Sequence, residues 1–171
     1  MNFRELYDAQ FSFVWRSLRR LGVLETDLGD ASQEVFLVVH RKLAEFEGRS
    51  KITTWIFGIC LRIAADRRRS AARDRRHQSP EEHVIADNSF SRSRDAAHLV
   101  GELLGRLPYE QRVVFVMFEL EGFSGDEIAE LLAVPVGTVR SRLRLARDSF
   151  RCWADARQPC ETHPSLQGAV P

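Results

Sequence analysis

One stretch near the C-terminal end, GFSGDEIAELLAVPVGTVRSRLRLAR, constrains the fold more than any other, because it carries two helix patterns separated by a very short turn. Ser124 and Glu127 have the spacing of a capping box, and Phe123 and Ile128 take the two positions of a hydrophobic staple. The first pattern ends at residues 133–135, and an amphipathic pattern follows at once. Two helices joined by a turn of about three residues form a helix-turn-helix.

The second of these helix patterns carries four arginines and no acid. On a helix of about 100° per residue, its apolar residues share one stripe and most of its arginines share the adjacent flank. The major groove of DNA admits a helix, and arginine pairs there with guanine and displaces counterions from phosphates. The ordinary alternative is a solvated helix face, but the capped first helix and the tight turn favour a DNA recognition helix. The stripe comprises Val139, Leu143, Ala146 and Phe150, the flank comprises Arg140, Arg144 and Arg147, and Arg142 lies on the other side.

The remaining segments also carry helical patterns. Leu6, Val14 and Leu18 recur near helical spacing before a stop at Gly22. The run VFLVVH has the β-branched content of a strand, but the apolar period continues beyond it, and Asp30 with Gln33 three residues later resembles a capping box. Because alternating strands bounded by Gly or Pro are missing, the sequence predicts an all-α fold.

The segment HQSPEEHVIADNSFSRSRD lacks an apolar period and contains Ser, Pro and Asn, which is typical of a flexible tether. We therefore predict two small helical domains joined by a flexible linker, the second containing the helix-turn-helix. The predicted divisions are a first domain over 1–76, a linker over 77–98, a second domain over 99–155 and a disordered tail over 156–171.

Charge is segregated along the chain although the net charge is only +1. Residues 21–40 contain four acids and neither Lys nor Arg, whereas residues 62–76 contain seven arginines and two aspartates. Such asymmetry indicates separate surfaces for partners of opposite charge, one of them nucleic acid.

Several function classes find no support in the sequence. The three cysteines form no CxxC pair, and their odd number fits a reducing compartment better than a disulfide framework. The N-terminus lacks the pattern of a signal peptide, and no apolar run approaches the ~18 residues of a membrane span, so we expect a cytoplasmic protein without membrane insertion. The histidines show neither triad nor metal spacing, and a Gly-rich phosphate loop is missing, so we expect no enzyme, no cofactor and no metal. Cys160 and His163 supply half of a metal site at most, and a disordered tail is the favoured interpretation.

Taken together, the chain resembles the extracytoplasmic-function (ECF) group of bacterial sigma factors, which have two helical domains called regions two and four. Three motifs carry the resemblance: DLGDASQEVFLVVHRKLAEF, KITTWIFGICLRIAADRRR and LPYEQRVVFVMFELEGFSGDEIAELLAVPVGTVRSRLRLAR. A helix-turn-helix alone would be weak evidence, whereas all three motifs in this order are highly specific. The resemblance implies a sigma factor that binds core RNA polymerase and directs initiation through the −10 and −35 promoter elements.

The resemblance also implies roles for particular residues. An acidic helix would dock on the clamp helices of the polymerase β′ subunit, and the β subunit would be contacted as well. A loop and the helix after it would hold the melted −10 strand, and the arginine helix would read the −35 duplex, chiefly through Arg140 and Arg144. For Trp55, a place in the core competes with a role as a base-stacking platform. The predicted polymerase contacts are Asp27, Asp30, Gln33 and Glu34; the −10 contacts are Arg49, Lys51, Thr53, Thr54, Trp55, Arg62, Arg67 and Arg68; and the −35 contacts are Thr138, Arg140, Ser141, Arg144 and Arg147.

Two positions depart from the pattern of the family. Ala133 replaces the usual glycine of the turn, which costs on the order of 1 kcal/mol if that residue needs a positive φ. Gly58 stands where relatives carry a large or basic side chain, so we expect a weaker helix, by roughly 1 kcal/mol relative to alanine, and the loss of one candidate DNA contact.

Two other functions compete with the sigma-factor prediction. A stand-alone helix-turn-helix regulator would bind duplex operators without polymerase, but its sensor domain would need an apolar pocket with convergent polar groups. An RNA-binding protein is disfavoured because the aromatic signature of an RNA-recognition sheet is missing. The resemblance further implies an anti-sigma protein as a partner.

Overall fold

A computed structural model describes residues 2–77 and 92–157 of the chain. Within these ranges the structure contains seven α-helices and no strand, in agreement with the predicted all-α class. Most of the predicted linker, residues 78–91, and the tail from residue 158 lie outside the described residues. The helices are α1 (Phe3–Arg20), α2 (Leu28–Lys42), α3 (Ile52–His77), α4 (Arg92–Arg106), α5 (Tyr109–Phe115), α6 (Gly125–Leu132) and α7 (Val136–Arg157).

The first domain is a three-helix unit in which α1, α2 and α3 pack against one another. Asn2 caps α1 by accepting from the backbone N–H of Arg4 at 3.2 Å, while the backbone N–H of Asn2 donates to Glu5 at 3.4 Å. The helix ends before Gly22, which has φ +92°, as the sequence predicts. The apolar faces of the three helices bury residues such as Leu18, Val35 and Ile56 in the core.

Helix α2 begins earlier than the sequence predicts. It starts at Leu28, and its N-cap Asp27 makes no side-chain capping bond. The expected capping box of Asp30 and Gln33 is therefore wrong. A 3₁₀ turn over Glu25–Asp27 runs directly into α2, so the helical backbone is already established when Asp30 is reached. The run VFLVVH is helical, as its flanks predicted.

The second domain begins with α4, whose first residue is Arg92. Residues 92–98 are thus helical and not part of a flexible linker as predicted. Helix α5 continues without a break into a π-helical turn over Val116–Leu120, so the run VVFVMFEL is helical despite its strand-like composition. The segment ends before Gly122, which has φ +71°.

The helix-turn-helix has the local structure that its sequence predicts. The backbone N–H of Glu127 donates to the Ser124 hydroxyl at 3.2 Å, and the N–H of Ser124 donates to the Glu127 carboxylate at 2.8 Å. The staple residues Phe123 and Ile128 are both buried. Ala133 ends α6 in the left-handed region, with φ 52° and ψ 45°, which confirms the expected positive φ.

Helix α7 packs its apolar stripe against α5 and α6. Val139, Leu143 and Ala146 are buried, as predicted. Phe150 departs from the prediction, because 37% of its surface stays exposed. Its ring stacks on Phe115 at a centroid distance of 6.2 Å, so it closes the edge of the stripe and does not enter the core.

The two domains share one buried apolar cluster. The ring of Phe57 on α3 meets that of Phe123 edge to face, with centroids 5.4 Å apart, and both side chains are almost fully buried. Arg20 at the end of α1 pairs with Glu121 in the second domain at 2.6 Å. Because these contacts join the domains, the arginine-bearing helices α3 and α7 have a defined relative position in this structure.

We predict that Ala133→Gly stabilises the protein. Left-handed backbone costs a non-glycine residue about 1–2 kcal/mol, and the added freedom of glycine in the unfolded chain offsets part of the gain. The free energy of unfolding should rise by about 0.5–1 kcal/mol in urea titrations. The matched control is Gly122→Ala, which introduces a β-carbon at φ +71° with no neighbouring atom within 4 Å and should destabilise. An unchanged or lowered stability of Ala133→Gly would contradict the strain at this turn.

Candidate functional site

The arginine flank of α7 faces solvent. Arg140 and Arg144 are exposed, and Arg140 makes no ion pair with any residue in the ranges 2–77 and 92–157. Arg144 lies 3.9 Å from Asp148, one turn further along the helix. The Ser141 hydroxyl donates to the backbone carbonyl of Thr138 at 3.0 Å, which leaves its lone pairs for an outside donor. The flank thus presents exposed guanidinium groups beside small polar side chains, and of the two arginines described here only Arg144 has an ion-pair partner within the described residues.

Arg147 is held more firmly than its neighbours. Its Nε donates to Glu119 at 2.7 Å, and its Nη2 lies 2.6 Å from the same carboxylate oxygen. Its guanidinium also lies over the ring of Phe118, 5.4 Å from the centroid. Because these contacts fix its position and compensate its charge, Arg147 is less available for base contacts than Arg140 and Arg144.

A groove of about 520 Å³ runs beside the arginine flank. The start of α6 forms one wall of the groove and α7 forms the other. Apolar and charged side chains both line it. The lining residues are Phe118, Gly125, Asp126, Val136, Val139, Arg140, Leu143, Arg144, Arg147, Asp148 and Arg151. Four arginines against two aspartates give this groove a net positive charge.

The loop between α2 and α3 exposes part of the predicted −10 set. Arg49 is exposed and donates to Glu47 at 2.6 Å. Thr53 is half-buried in the first turn of α3. Thr54 departs from the prediction, because its side chain is buried and its hydroxyl has no hydrogen-bond partner, so it cannot supply a donor to the surface.

Lys51 at the end of this loop points to the second domain. Its Nζ lies 3.5 Å from Glu127, the carboxylate that caps α6. The backbone N–H and hydroxyl of Ser124 lower the pKa of Glu127, and the charge of Lys51 lowers it further. The cap of the helix-turn-helix is thereby linked to the loop of the first domain.

Trp55 is half-buried and packs against the edge of the apolar core. Its indole packs on Phe46 with ring centroids 5.1 Å apart. The side chain therefore contributes to packing at the loop, and its role as a base-stacking platform stays a prediction.

The arginines of α3 differ in their surroundings. Arg62 is exposed and forms no ion pair with the described residues. Arg67 donates to Glu34 of α2 at 3.0 Å. The guanidinium of Arg68 lies over the ring of Tyr109 in the second domain, 4.0 Å from its centroid. Four cations of the predicted −10 set therefore have protein partners within the described residues: Arg49, Lys51, Arg67 and Arg68.

The acidic face of α2 is largely open. Asp30, Gln33 and Glu34 are exposed, and Asp27 is half-buried at the N-cap. Asp30 has no ion-pair partner within the described ranges, whereas Glu34 pairs with Arg67 at 3.0 Å. Three carboxylates, at positions 27, 30 and 34, follow one another over about two helical turns and give this face a negative charge.

An aromatic groove beside the acidic face was not predicted. It has a volume of about 540 Å³ and lies between α1 and α2, where the ring of Tyr7 meets that of Phe36 at 4.5 Å and Phe3 meets His40 at 4.7 Å. Leu37 on its edge is 53% exposed. The aromatic residues of α1 recur every four residues in the sequence, and this spacing could have predicted the groove. The aromatic row on α1 comprises Phe3, Tyr7, Phe11 and Trp15.

Gly58 lies where α3 of the first domain meets α6 of the second. A β-carbon at this position would come within 2.9 Å of Leu131 Cδ1 in α6. The missing side chain therefore permits close packing of the two domains. The expected loss of a DNA contact at Gly58 stays a prediction.

The described residues contain no cluster of His, Cys, Asp and Glu that could hold a metal ion. Cys160 and His163, the predicted half-site, lie outside them. Burial raises the pKa of the Cys60 thiol well above its usual range, so this cysteine is an inert core residue. None of the described helices is both long and apolar enough to cross a bilayer.

The two halves of the chain match two family models. Residues 6–74 match Sigma-70 region 2, and residues 97–149 match Sigma-70, region 4. The chain is 30% identical over 139 residues to the ECF RNA polymerase sigma-E factor of Escherichia coli (strain K12), a match that covers 72% of each protein. The chain belongs to the ECF group of the sigma-70 family.

Further relatives agree with this assignment. The ECF RNA polymerase sigma factor SigM of Mycobacterium tuberculosis (strain ATCC 25618 / H37Rv) is 31% identical over 148 residues, covering 84% of this chain and 74% of SigM. Among solved structures, the sigma factor RpoE of Bartonella quintana, crystallised with the anti-sigma factor NepR, has the same fold. Its TM-score is 0.74 at 19% identity, and the match covers 91% of this chain and 98% of RpoE.

The region 2 match also decides between the two DNA-binding hypotheses. A stand-alone regulator would carry a sensor domain in its first half, whereas residues 6–74 of this ECF sigma factor match a sigma region. The stand-alone regulator is therefore not supported.

We predict a pH dependence from the cap of α6. Because the pKa of Glu127 is lowered in the folded protein, its contribution to stability is present above its ordinary value of about 4.5 and is lost as the pH falls through the lowered pKa. Glu127→Gln should lower the free energy of unfolding at pH 7, and its difference from the unmodified protein should shrink at pH 3. Urea titrations at both pH values measure this. An equal difference in the free energy of unfolding at the two pH values would contradict the lowered pKa of Glu127.

Proposed function

We propose that this ECF sigma factor binds core RNA polymerase through its first domain and directs initiation at promoters with particular −35 and −10 elements. The observation that supports this most is the pairing of a sigma region 2 with a region 4 whose arginine flank is exposed to solvent. Catalysis belongs to the polymerase, and the sigma factor supplies recognition and strand opening.

For the −35 element, α7 lies in the major groove. The N-terminal half of a recognition helix approaches the base edges, and arginine pairs bidentately with guanine there. Arg140 and Arg144 are exposed, and the only ion pair of either within the described residues is the 3.9 Å contact of Arg144 with Asp148, so both can reach base edges. Arg147 is bound to Glu119 at 2.7 Å and suits a phosphate contact that positions the helix. Thr138 and Ser141 offer hydroxyls to the same strand.

For the −10 element, the loop before α3 and the exposed edge of α3 hold the melted strand. Single-stranded DNA binds where cations follow the backbone and aromatic rings accept stacked bases. Arg49, Arg62 and Arg67 supply the cations, Thr53 supplies a hydroxyl and the outer side of Trp55 supplies a ring surface. Lys51 and Arg68 join them when their protein partners are released.

For polymerase, the acidic face of α2 and the aromatic groove form one docking surface. Exposed apolar patches rimmed by charge mark protein interfaces. The exposed edge residue Leu37 adjoins Gln33 and Glu34, so a partner helix with basic and apolar side chains fits this surface. This matches the clamp helices of the β′ subunit that the family resemblance implies, and the β subunit completes the contact.

The chain is proposed to act in the cytoplasm, where polymerase and promoter DNA are found, and to be regulated by an anti-sigma protein. The structural neighbour RpoE was crystallised with such a protein, which supports this partner for an ECF sigma factor of the same fold.

The experiment that tests the function is transcription in vitro with core RNA polymerase, this protein and a library of promoter fragments. We expect transcripts that depend on the protein and share a −35 and a −10 sequence. Binding to intact duplex DNA without any effect on polymerase would instead favour the stand-alone regulator.

We predict that Arg144→Ala relaxes the preference at one −35 base pair and costs about 1–3 kcal/mol on the best promoter, because a bidentate base contact is lost. Fluorescence anisotropy with single-base variants of the element measures this. Arg142→Ala, on the other side of α7, is the matched control and should weaken all sequences equally or not at all. A uniform loss for Arg144→Ala would show that it contacts phosphate.

We predict that replacing both Asp30 and Glu34 by lysine abolishes binding to core polymerase, since the docking face changes from acidic to basic. The matched control replaces Glu110 and Glu130, two exposed acids of the second domain, by lysine and changes the net charge equally. Pull-down with core polymerase should separate the two variants. Equal retention of polymerase by both would refute the docking surface.

A further inference from the structure

The π-helical turn over Val116–Leu120 places two neighbouring side chains on the same partner in α7. Phe118 and Glu119 follow one another in the sequence, and on an α-helix they would point about 100° apart. The turn closes with a backbone hydrogen bond of 3.0 Å across five residues, and both side chains contact the guanidinium of Arg147. Single π-helical turns inside helices are frequent at functional sites.

The guanidinium of Arg147 is fixed from two sides. Its Nε donates to Glu119 at 2.7 Å, and its Nη2 lies 2.6 Å from the same carboxylate oxygen. Its Cζ lies 5.4 Å from the centroid of the Phe118 ring. Arginine carries its N–H donors in a rigid planar fork, with one on Nε and two on each Nη. Both N–H groups of Nη1 and the second of Nη2 therefore stay available for an acceptor outside the protein.

The carboxylates beside the arginine flank restrain their partners to different degrees. Asp148 lies 3.9 Å from Arg144 on the same helix, and such an exposed pair restrains a side chain weakly. Glu119 belongs to another helical segment, and only 32% of its side chain is exposed. In the part of the chain that the structure describes, its pair with Arg147 is the only ion pair that joins an arginine of α7 to a different helix.

Glu119 lies behind the surface that faces DNA. Phe118 and Arg147 line the groove beside the arginine flank, together with Arg140 and Arg144, whereas Glu119 does not line it. A carboxylate inside the groove would repel DNA phosphates, but behind Arg147 it has a cation in front of it. The effect of Glu119 on DNA binding therefore passes through Arg147.

A fixed arginine constrains how the whole recognition helix lies on DNA. Phosphate contacts set the register and orientation of such a helix, whereas base contacts specify the sequence. Because a fixed guanidinium meets a phosphate in one place only, it also sets how closely Arg140 and Arg144 approach the base edges. A mobile guanidinium would reach phosphates from several registers, so wrong sequences would be penalised less. It would also lose conformational freedom on binding, which lowers the affinity.

We propose that Glu119 is a positioning residue of the −35 interface: it holds Arg147 beside Phe118, so that Arg147 contacts one phosphate in one orientation and α7 keeps one register on the promoter. This inference rests on the proposed function, because it concerns the −35 contact of α7. The contacts among the three side chains come from the structure alone.

The test measures how well core polymerase with this protein distinguishes its best promoter from fragments with one changed −35 base pair. Each such change typically weakens binding about fivefold to 150-fold. Glu119→Ala should lower this ratio of affinities by at least about twofold, which is the lower end of the coupling between residues in contact. All fragments carry the same charge, so the ratio does not respond to the lost carboxylate as such. Fluorescence anisotropy with labelled fragments, taken from a promoter found by transcription, measures the ratio.

Three further variants separate positioning from other roles. Glu119→Gln keeps an acceptor oxygen for Nε of Arg147 and should retain most of the ratio. Glu119→Ala should lower the ratio no further when Arg147 is already replaced by alanine. The matched control, Glu110→Ala, removes another exposed acid of the second domain and should leave the ratio unchanged. Circular dichroism checks that each variant keeps its helicity.

Salt dependence distinguishes a loosened phosphate contact from a lost one. Arg147→Ala removes a phosphate contact, so the slope of log affinity against log salt concentration should become shallower by about 0.9. Glu119→Ala keeps the guanidinium, so its slope should be at least as steep as that of the unmodified protein.

Two outcomes would overturn the positioning role. One is an affinity ratio that Glu119→Ala leaves unchanged, and the other is an equal loss of the ratio with and without Arg147, which would indicate a purely structural role. If the unmodified protein gave core polymerase no preference among the −35 fragments, the proposed function would fail and this inference with it. That failure is recognised before any variant is measured.

Discussion

Burial of the apolar stripe of α7 determines the direction of every functional group on that helix. Val139, Leu143 and Ala146 pack against α5 and α6, and a helix has no freedom to rotate once such a stripe is buried. The arginine flank therefore faces solvent in a fixed arrangement. The capped start of α6 and the left-handed turn at Ala133 then fix the angle at which this helix is presented.

Local sequence rules were sufficient for most of the fold. The capping box of Ser124 and the stop at Gly22 involve groups within a few residues of one another, so their spacing specifies their geometry. The strand-like runs in α2 and α5 were assigned correctly because their flanks continue the helical period. The start of α2 was assigned incorrectly, since a 3₁₀ turn that precedes a helix leaves no clear composition signal.

Contacts between distant parts of the chain could not be predicted in this way. Nothing in the neighbourhood of Gly58 indicates that Leu131 will lie against it, and the expected loss of a DNA contact followed from the family resemblance. The burial of Thr54 likewise depends on how α3 packs. The aromatic residues of α1 recur every four residues in the sequence. Only the contact with Phe36 on α2 shows that they line a groove.

The contact of Arg67 with Glu34 has a consequence for how two ligands influence each other. Each residue lies on a surface that we propose to bind a different macromolecule, and at 3.0 Å their charges neutralise each other. A ligand that binds one of these residues frees the other, so its binding raises the affinity for the second ligand. By thermodynamic linkage, the second ligand raises the affinity for the first by the same factor. Because an exposed pair is worth about 0–1 kcal/mol, the cooperativity from this source is at most about fivefold. Such modest coupling would bias the order of assembly without making either step irreversible.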